Sequence, residues 1–156
     1  MDKNKIVFRN LDDVLSYLCK INDSKYLFLL EDTIMNSEAE LDAYKWILEQ
    51  VLALDDKPKR VVDIGSCLNQ YAYLFVNEGI DYIGIDPGHM NLNPIETEHI
   101  QFVEKKYEDV VEEYANDVVI SNLCVGWLVD EATVKAKTFI NGKRYLELHS
   151  NNGIKR

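Results

Sequence analysis

The chain has 156 residues, 47% of them apolar and 28% charged, which is the composition of one folded globular domain rather than of a disordered segment. No apolar run approaches the ~20 residues of a membrane span, the start Met1-Asp2-Lys3-Asn4-Lys5 has no leader pattern, and Cys19, Cys67 and Cys124 fit neither a disulfide framework nor a zinc site. A cytoplasmic protein without a bound metal is therefore expected. Seventeen basic against 27 acidic residues give a net charge of −10, shared evenly between residues 1–57 and 58–156. The basic stripe that a nucleic-acid partner requires is missing, and Lys57 to Arg60, Lys105-Lys106, Lys143-Arg144 and Lys155-Arg156 read as solvated patches.

The first third reads as helical. Asn10 can cap a helix carrying Leu11, Val14, Leu15 and Leu18 at helical spacing. Ser37-Glu38-Ala39-Glu40 is a capping box, and the helix behind it places Leu41, Tyr44, Leu48, Val51 and Leu52 on one face until Asp55-Asp56-Lys57-Pro58 stops it. Between these helices, Lys25 to Met35 fits either a short buried strand or another helix. From Lys59 onward strands and helices alternate. Arg60 to Ile64 is a strand, and Gln70 to Glu78 a helix closed by Gly79. Asp81 to Asp86 is a strand ended by Pro87-Gly88, and Ile100 to Val103 another, with only Gly88 to His99 between them, so the crossover helix there is short or missing. A helical patch runs through Tyr114. Asp117 to Ser121 is a strand, Asp130 to Phe139 a helix, Asn141-Gly142 a turn, and Lys143 to His149 a fifth strand. The alternation predicts an α/β fold, a Rossmann-like doubly wound, mainly parallel sheet of order 3-2-1-4-5, in a single domain whose residues 1–57 form a helical extension on a 58–156 core.

In open α/β sheets ligands sit beyond the carboxyl ends of the strands. The first strand runs into Asp63-Ile64-Gly65-Ser66-Cys67-Leu68-Asn69-Gln70, where Gly65 permits a sharp turn and close backbone approach. The second strand ends at Asp86, 23 residues after Asp63, near the offset at which a carboxylate reaches the hydroxyls of a ribose. Asp63 also fits a simple loop cap, and Cys67 a small residue filling a turn, with no base identifiable beside it. Cys19 and Cys124 read as core residues, and His89, His99 and His149 as surface residues without metal-ligand spacing. Gly65 to Gln70 lacks G-x-G-x-x-G, which disfavours a NAD-dependent dehydrogenase.

Val61-Val62-Asp63-Ile64-Gly65-Ser66, Tyr82-Ile83-Gly84-Ile85-Asp86-Pro87, Asn116 to Leu123 and Asn141 to Leu148 together resemble, in order and spacing, the first, second, fourth and later motifs of the class I S-adenosylmethionine-dependent methyltransferases. The resemblance covers residues 58–149. It implies a cofactor site of Asp63, Gly65, Ser66, Cys67, Asp86 and Pro87. Asp63 and Gly65 would line the methionine side, Asp86 the ribose and Pro87 the adenine, and Asn122 to Trp127 would border the substrate. Trp127 fits a core anchor as well as a substrate platform. Cys67 and Asn69 stand where the family's further glycines do, and Lys105-Lys106 where it often has an acidic residue. The catalytic residues are unassigned, with Asp63, Tyr107 and Asn122 candidates for a general base by position alone. The implied function is S-adenosylmethionine-dependent methylation of a small molecule or a basic protein segment under an acidic N-terminal lid. The alternative is a non-catalytic binding protein on the same fold. The family's sixth and seventh strands have no counterpart after His149, so Tyr145, Leu146 and Leu148 are expected on a sheet edge. Cover by Ser150 to Arg156 or by Lys5 to Arg9, in a monomer, is favoured over pairing in a homodimer.

Overall fold

The computed structural model of the chain describes residues 6–23, 38–88, 91–114, 117–122 and 137–140. Helix α1 (Leu11–Ile21) starts at Asn10, whose side chain accepts the Asp13 N–H at 2.9 Å, as its sequence predicts. Val14 and Leu18 point into the core. Helix α2 (Glu38–Leu52) buries Ala43, Tyr44, Ile47 and Val51, while Leu52 is 40% exposed. The apolar stripe is thus centred on 44, 47 and 51. Leu52, a further 100° around the helix from Val51, falls outside it, which corrects the face read from the sequence.

Strands β1 (Arg60–Ile64), β2 (Asp81–Asp86), β3 (Ile100–Glu104) and β4 (Val118–Ser121) form an all-parallel sheet in which β1 lies between β2 and β4, and β3 lies outside β2. A further strand, β5 (Lys137–Ile140), runs parallel to β4 with Val118 opposite Lys137. Val61 to Ile64 are all buried, as in a parallel strand covered on both faces. Val61, Tyr82, Ile100 and Ile120 face a cluster with α1, α2 and the short helix α3 (Ala72–Val76). Val62, Ile64, Ile83, Ile85 and Val119 face the other cluster, with Tyr107 of a 3-10 turn (Tyr107–Asp109) and Val110 and Tyr114 around helix α4 (Val111–Tyr114). Helices on both faces of a parallel sheet make this an α/β fold.

Two local readings change. The helix expected over Gln70 to Glu78 is regular only from Ala72 to Val76, because the loop before it follows its own hydrogen bonds, and Gly79 does take positive φ (+78°) behind it. Lys137 to Phe139, expected in a helix, belong to β5, where pairing with β4 decides. Residues 6–9 pair with no strand among the described residues. Phe8 packs edge-on against Tyr17 at 5.2 Å, and its carbonyl accepts from Asn77 at 2.8 Å beyond α3, while Val7 is 68% exposed. Residues 6–9 therefore pack on the helical side of the core. The Lys25–Met35 element, the Ser37 cap, His89, Cys124, Trp127, the Asn141-Gly142 turn and the Lys143–His149 strand with its edge lie outside the described residues. No helix among the described residues is long and apolar enough to cross a membrane.

The β2–β3 connection has no helix in its described part, residues 91–99. It is pinned at both ends instead. Asn22, buried at the end of α1, accepts the Asn93 N–H at 2.7 Å and donates to the Asn93 carbonyl at 3.2 Å. Leu92 and Ile95 are buried, and the Ile95 N–H donates to the Leu68 carbonyl at 3.0 Å. The missing helix is replaced by a strap that ends against the loop following β1.

Candidate functional site

That loop turns at Gly65, which has φ +74° and donates its N–H to the Ile85 carbonyl at 2.8 Å. Cys67 (φ +57°) and Asn69 (φ +61°) take the same left-handed form. The three alternating positions share a backbone sign that the sequence supports with only one glycine. Each non-glycine there bears a steric cost of ~1–2 kcal/mol, smaller for Asn, whose short polar side chain tolerates it. Alternating handedness turns successive N–H groups inward, the arrangement that receives anions. Here the Cys67 N–H donates to Asp86 Oδ2 at 3.0 Å and the Leu68 N–H to Gln70 Oε1 at 3.0 Å. Asp86 Oδ1 accepts the Gly88 N–H at 3.0 Å, so this half-buried carboxylate holds both the loop and the turn after β2. Burial and then Asp86 push the Cys67 thiol up to about 12, which leaves it protonated and a poor nucleophile. Cys67→Gly is expected to raise stability by ~0.5–1 kcal/mol, since relief of the left-handed strain outweighs the added freedom of the unfolded chain. A urea titration checks this, and a loss of stability would show that the thiol packing matters more than the strain.

Asn69 departs furthest from a glycine. Its side-chain amide donates to the Ile95 carbonyl at 3.0 Å and the Gln101 carbonyl at 3.4 Å, tying the strap and β3 to the loop. It fits because residue 84 has no side chain: a Cβ there would lie 1.8 Å from Asn69 Oδ1 and 2.4 Å from Ser66 Oγ. The Ser66 side chain, 3% exposed, is therefore turned inward against β2.

Asp63 is opposite Gly84 in register and wholly buried. Its Oδ2 accepts the Tyr44 hydroxyl of α2 at 2.8 Å and also the Tyr82 hydroxyl of β2. Tyr44 in turn stacks on Tyr71, ring centroids 4.5 Å apart, and the Tyr71 hydroxyl donates to Glu40 at 3.3 Å. Burial raises the Asp63 carboxyl to about 7, offset in part by the two tyrosine hydrogen bonds and reinforced by Asp86 and Glu40. Burial and Asp63 push both tyrosines far above their usual range, so they act as donors only. Asp63 is thus neither a loop cap nor open to a ligand.

The structure brings Asp63, Gly65, Ser66, Cys67 and Asp86 together at the carboxyl ends of β1 and β2, with Pro87 exposed beside them. Asn122 follows β4 at the same end of the sheet. Tyr107 lies buried in the cluster on the opposite face from Asp63. Of the three positional candidates for a general base, Asp63 and Tyr107 are therefore sealed and kept apart by the sheet. His99 is a surface residue paired with Asp81 at 2.8 Å, and Cys19 packs against the core. Sequence patterns do not assign the hydroxyl roles of Tyr44 and Tyr82, nor the contact of Asn69 with Gly84. A tyrosine on a face due for burial needs a hydroxyl partner, and a glycine inside a strand marks close approach by another group; both signals were present. Among the described residues no group of three or more His, Cys, Asp and Glu is placed to hold a metal ion. No family model matches the chain, and no curated protein matches it either.

Proposed function

We propose that this chain is an S-adenosylmethionine-binding, methyltransferase-like protein acting in the cytoplasm on a small molecule or a basic protein segment. The observation that carries the reading is the shared left-handed backbone of Gly65, Cys67 and Asn69, with the Asp86 carboxylate at the end of the neighbouring strand. This is the loop form that three glycines would give, made with one. The pairing of β5 with β4 supports a doubly wound sheet of order 3-2-1-4-5, and the packing of Tyr44 on β1 supports residues 1–57 as a cover over the strand ends.

In this reading Gly65 and Cys67 flank the methionine moiety, Asp86 takes the ribose and Pro87 borders the adenine, with Asn122 and Trp127 toward the acceptor. Each oxygen of Asp86 accepts one backbone N–H, and an ionised carboxylate has about four acceptor sites, so two stay free for ribose hydroxyls. Asp63, bonded to Tyr44 and Tyr82, and the inward-turned Ser66 lie buried beside this site. The cofactor supplies a methyl group already activated by its sulfonium charge, and the protein's task is alignment and exclusion of water. An acidic surface suits a neutral or cationic acceptor.

Calorimetry with S-adenosylmethionine and S-adenosylhomocysteine tests the reading, and no heat at millimolar ligand would overturn it. Asp86→Ala should weaken binding by ~1–3 kcal/mol, the scale for a charged hydrogen-bonding group. Wild-type affinity in that variant would mean the pocket is elsewhere. The second reading, a binding protein without catalysis, is favoured by the sealing of Asp63 and Tyr107. Cofactor binding without transfer of a labelled methyl group to small amines or basic peptides would select it.

A further inference from the structure

The hydrogen bonds of Asp63 are lopsided. Oδ2 takes two hydroxyl donors, from Tyr44 and Tyr82, while Oδ1 is buried and has no partner among the described residues. The titratable and charged groups facing it are Glu40 and Tyr44 from α2 and Tyr82 and Asp86 from β2, with Tyr71 behind Tyr44 and Cys67 of the loop near Tyr82. On the β4 side its neighbour is Ile120. None of these is a cation. A neutral carboxyl fits this setting better than an anion, because its carbonyl oxygen can accept both tyrosine hydroxyls and only the uncharged Oδ1 hydroxyl is left without an acceptor among the described residues. An ionised one leaves a buried anionic oxygen without a protein donor, with Asp86 and Glu40 adding like charge, at high cost.

We infer that the protonated Asp63 carboxyl is a latch seating helix α2 on the sheet, and that its ionisation loosens α2 from β1 and the Gly65–Asn69 loop. The asymmetry of the two tyrosines says which side gives way. Tyr82 belongs to an interior strand held by β1 and β3, whereas Tyr44 belongs to a helix attached by side-chain packing. Water can therefore reach Oδ1 by the lifting of α2, while β2 stays paired. The carboxyl is raised to about 7 in the seated state, against 3.8 for a solvated one. The latch is fully held below about pH 4, is lost progressively as pH rises through about 7, and changes no further above that.

Hydrogen exchange across pH, corrected for intrinsic rates, tests this on the full chain. The amides of residues 43–52 should exchange through a separate opening, faster than those of β1 and β2, and their protection should fall about a hundredfold between pH 5 and pH 8. Asp63→Asn should flatten that dependence. Tyr44→Phe removes a donor that favours the ionised form, and should move the fall to higher pH. Protection of α2 that is flat with pH, or equal to that of β1 at every pH, would overturn the latch, as would an unchanged slope in Asp63→Asn. The latch stands whether or not the protein binds S-adenosylmethionine.

Discussion

Gly84→Ala is expected to destabilise the protein by about 3 kcal/mol or more. The added Cβ would sit 1.8 Å from Asn69 Oδ1 and 2.4 Å from Ser66 Oγ, and neither can yield cheaply. Asn69 is 1% exposed, and its amide holds the Ile95 and Gln101 carbonyls. Displacing it takes the donor from the buried Ile95 carbonyl, at about 1–3 kcal/mol, in addition to the overpacking. Asn69→Gly alone should also destabilise, by losing the strap. In the Gly84→Ala background it should instead recover stability, because the clash partner is gone. A double-mutant cycle read by urea unfolding should therefore show coupling above ~1 kcal/mol. Additive effects would mean that the strap, rather than the Asn69–Gly84 contact, bears the load.

The same pair shows what sequence can and cannot disclose about such a site. Gly84 inside a strand was legible as a place of close approach, but the group that approaches, Asn69, is identified only by the fold. β1 and β2 were readable because Val61, Val62, Ile64, Ile83 and Ile85 are β-favouring residues buried on both faces. β5 was not: Ala132 and Ala136 tilt the window toward helix, and pairing of Lys137–Ile140 with β4 is a long-range choice. In the site, Asp63, Gly65 and Asp86 stood out by spacing. That Cys67 keeps the left-handed form did not, since its residue type does not announce it, whereas Asn69 is a residue type that tolerates it. The sealing of Asp63 was hidden for a different reason. It depends on Tyr44, 19 residues earlier on α2, where a tyrosine in an apolar stripe reads as packing until its hydroxyl is given a partner.

Stability should fall as pH rises from 4 to 8, and Asp63→Asn should abolish most of that fall. Asp63 has a carboxyl raised to about 7 in the folded protein and an ordinary value of 3.8 when exposed. The folded state therefore holds a proton that the unfolded chain releases across this window. The stabilisation from the buried neutral acid is complete below about pH 4, declines as pH climbs, and is gone above about pH 7, where the native state carries the penalty of a buried anion. A shift of about three units corresponds to a change on the order of 4 kcal/mol, which is large against the 5–15 kcal/mol typical of a whole domain. The substitution does not make the protein uniformly better. At pH 4 the Asn amide brings buried N–H groups that lack acceptors, so the variant should be the weaker of the two. At pH 8 wild type bears the buried charge, and the order should reverse. Guanidinium titrations of both proteins at several pH values would locate the crossing. Parallel pH profiles would mean that Asp63 titrates alike in the folded and unfolded chains, and that solvent reaches Oδ1.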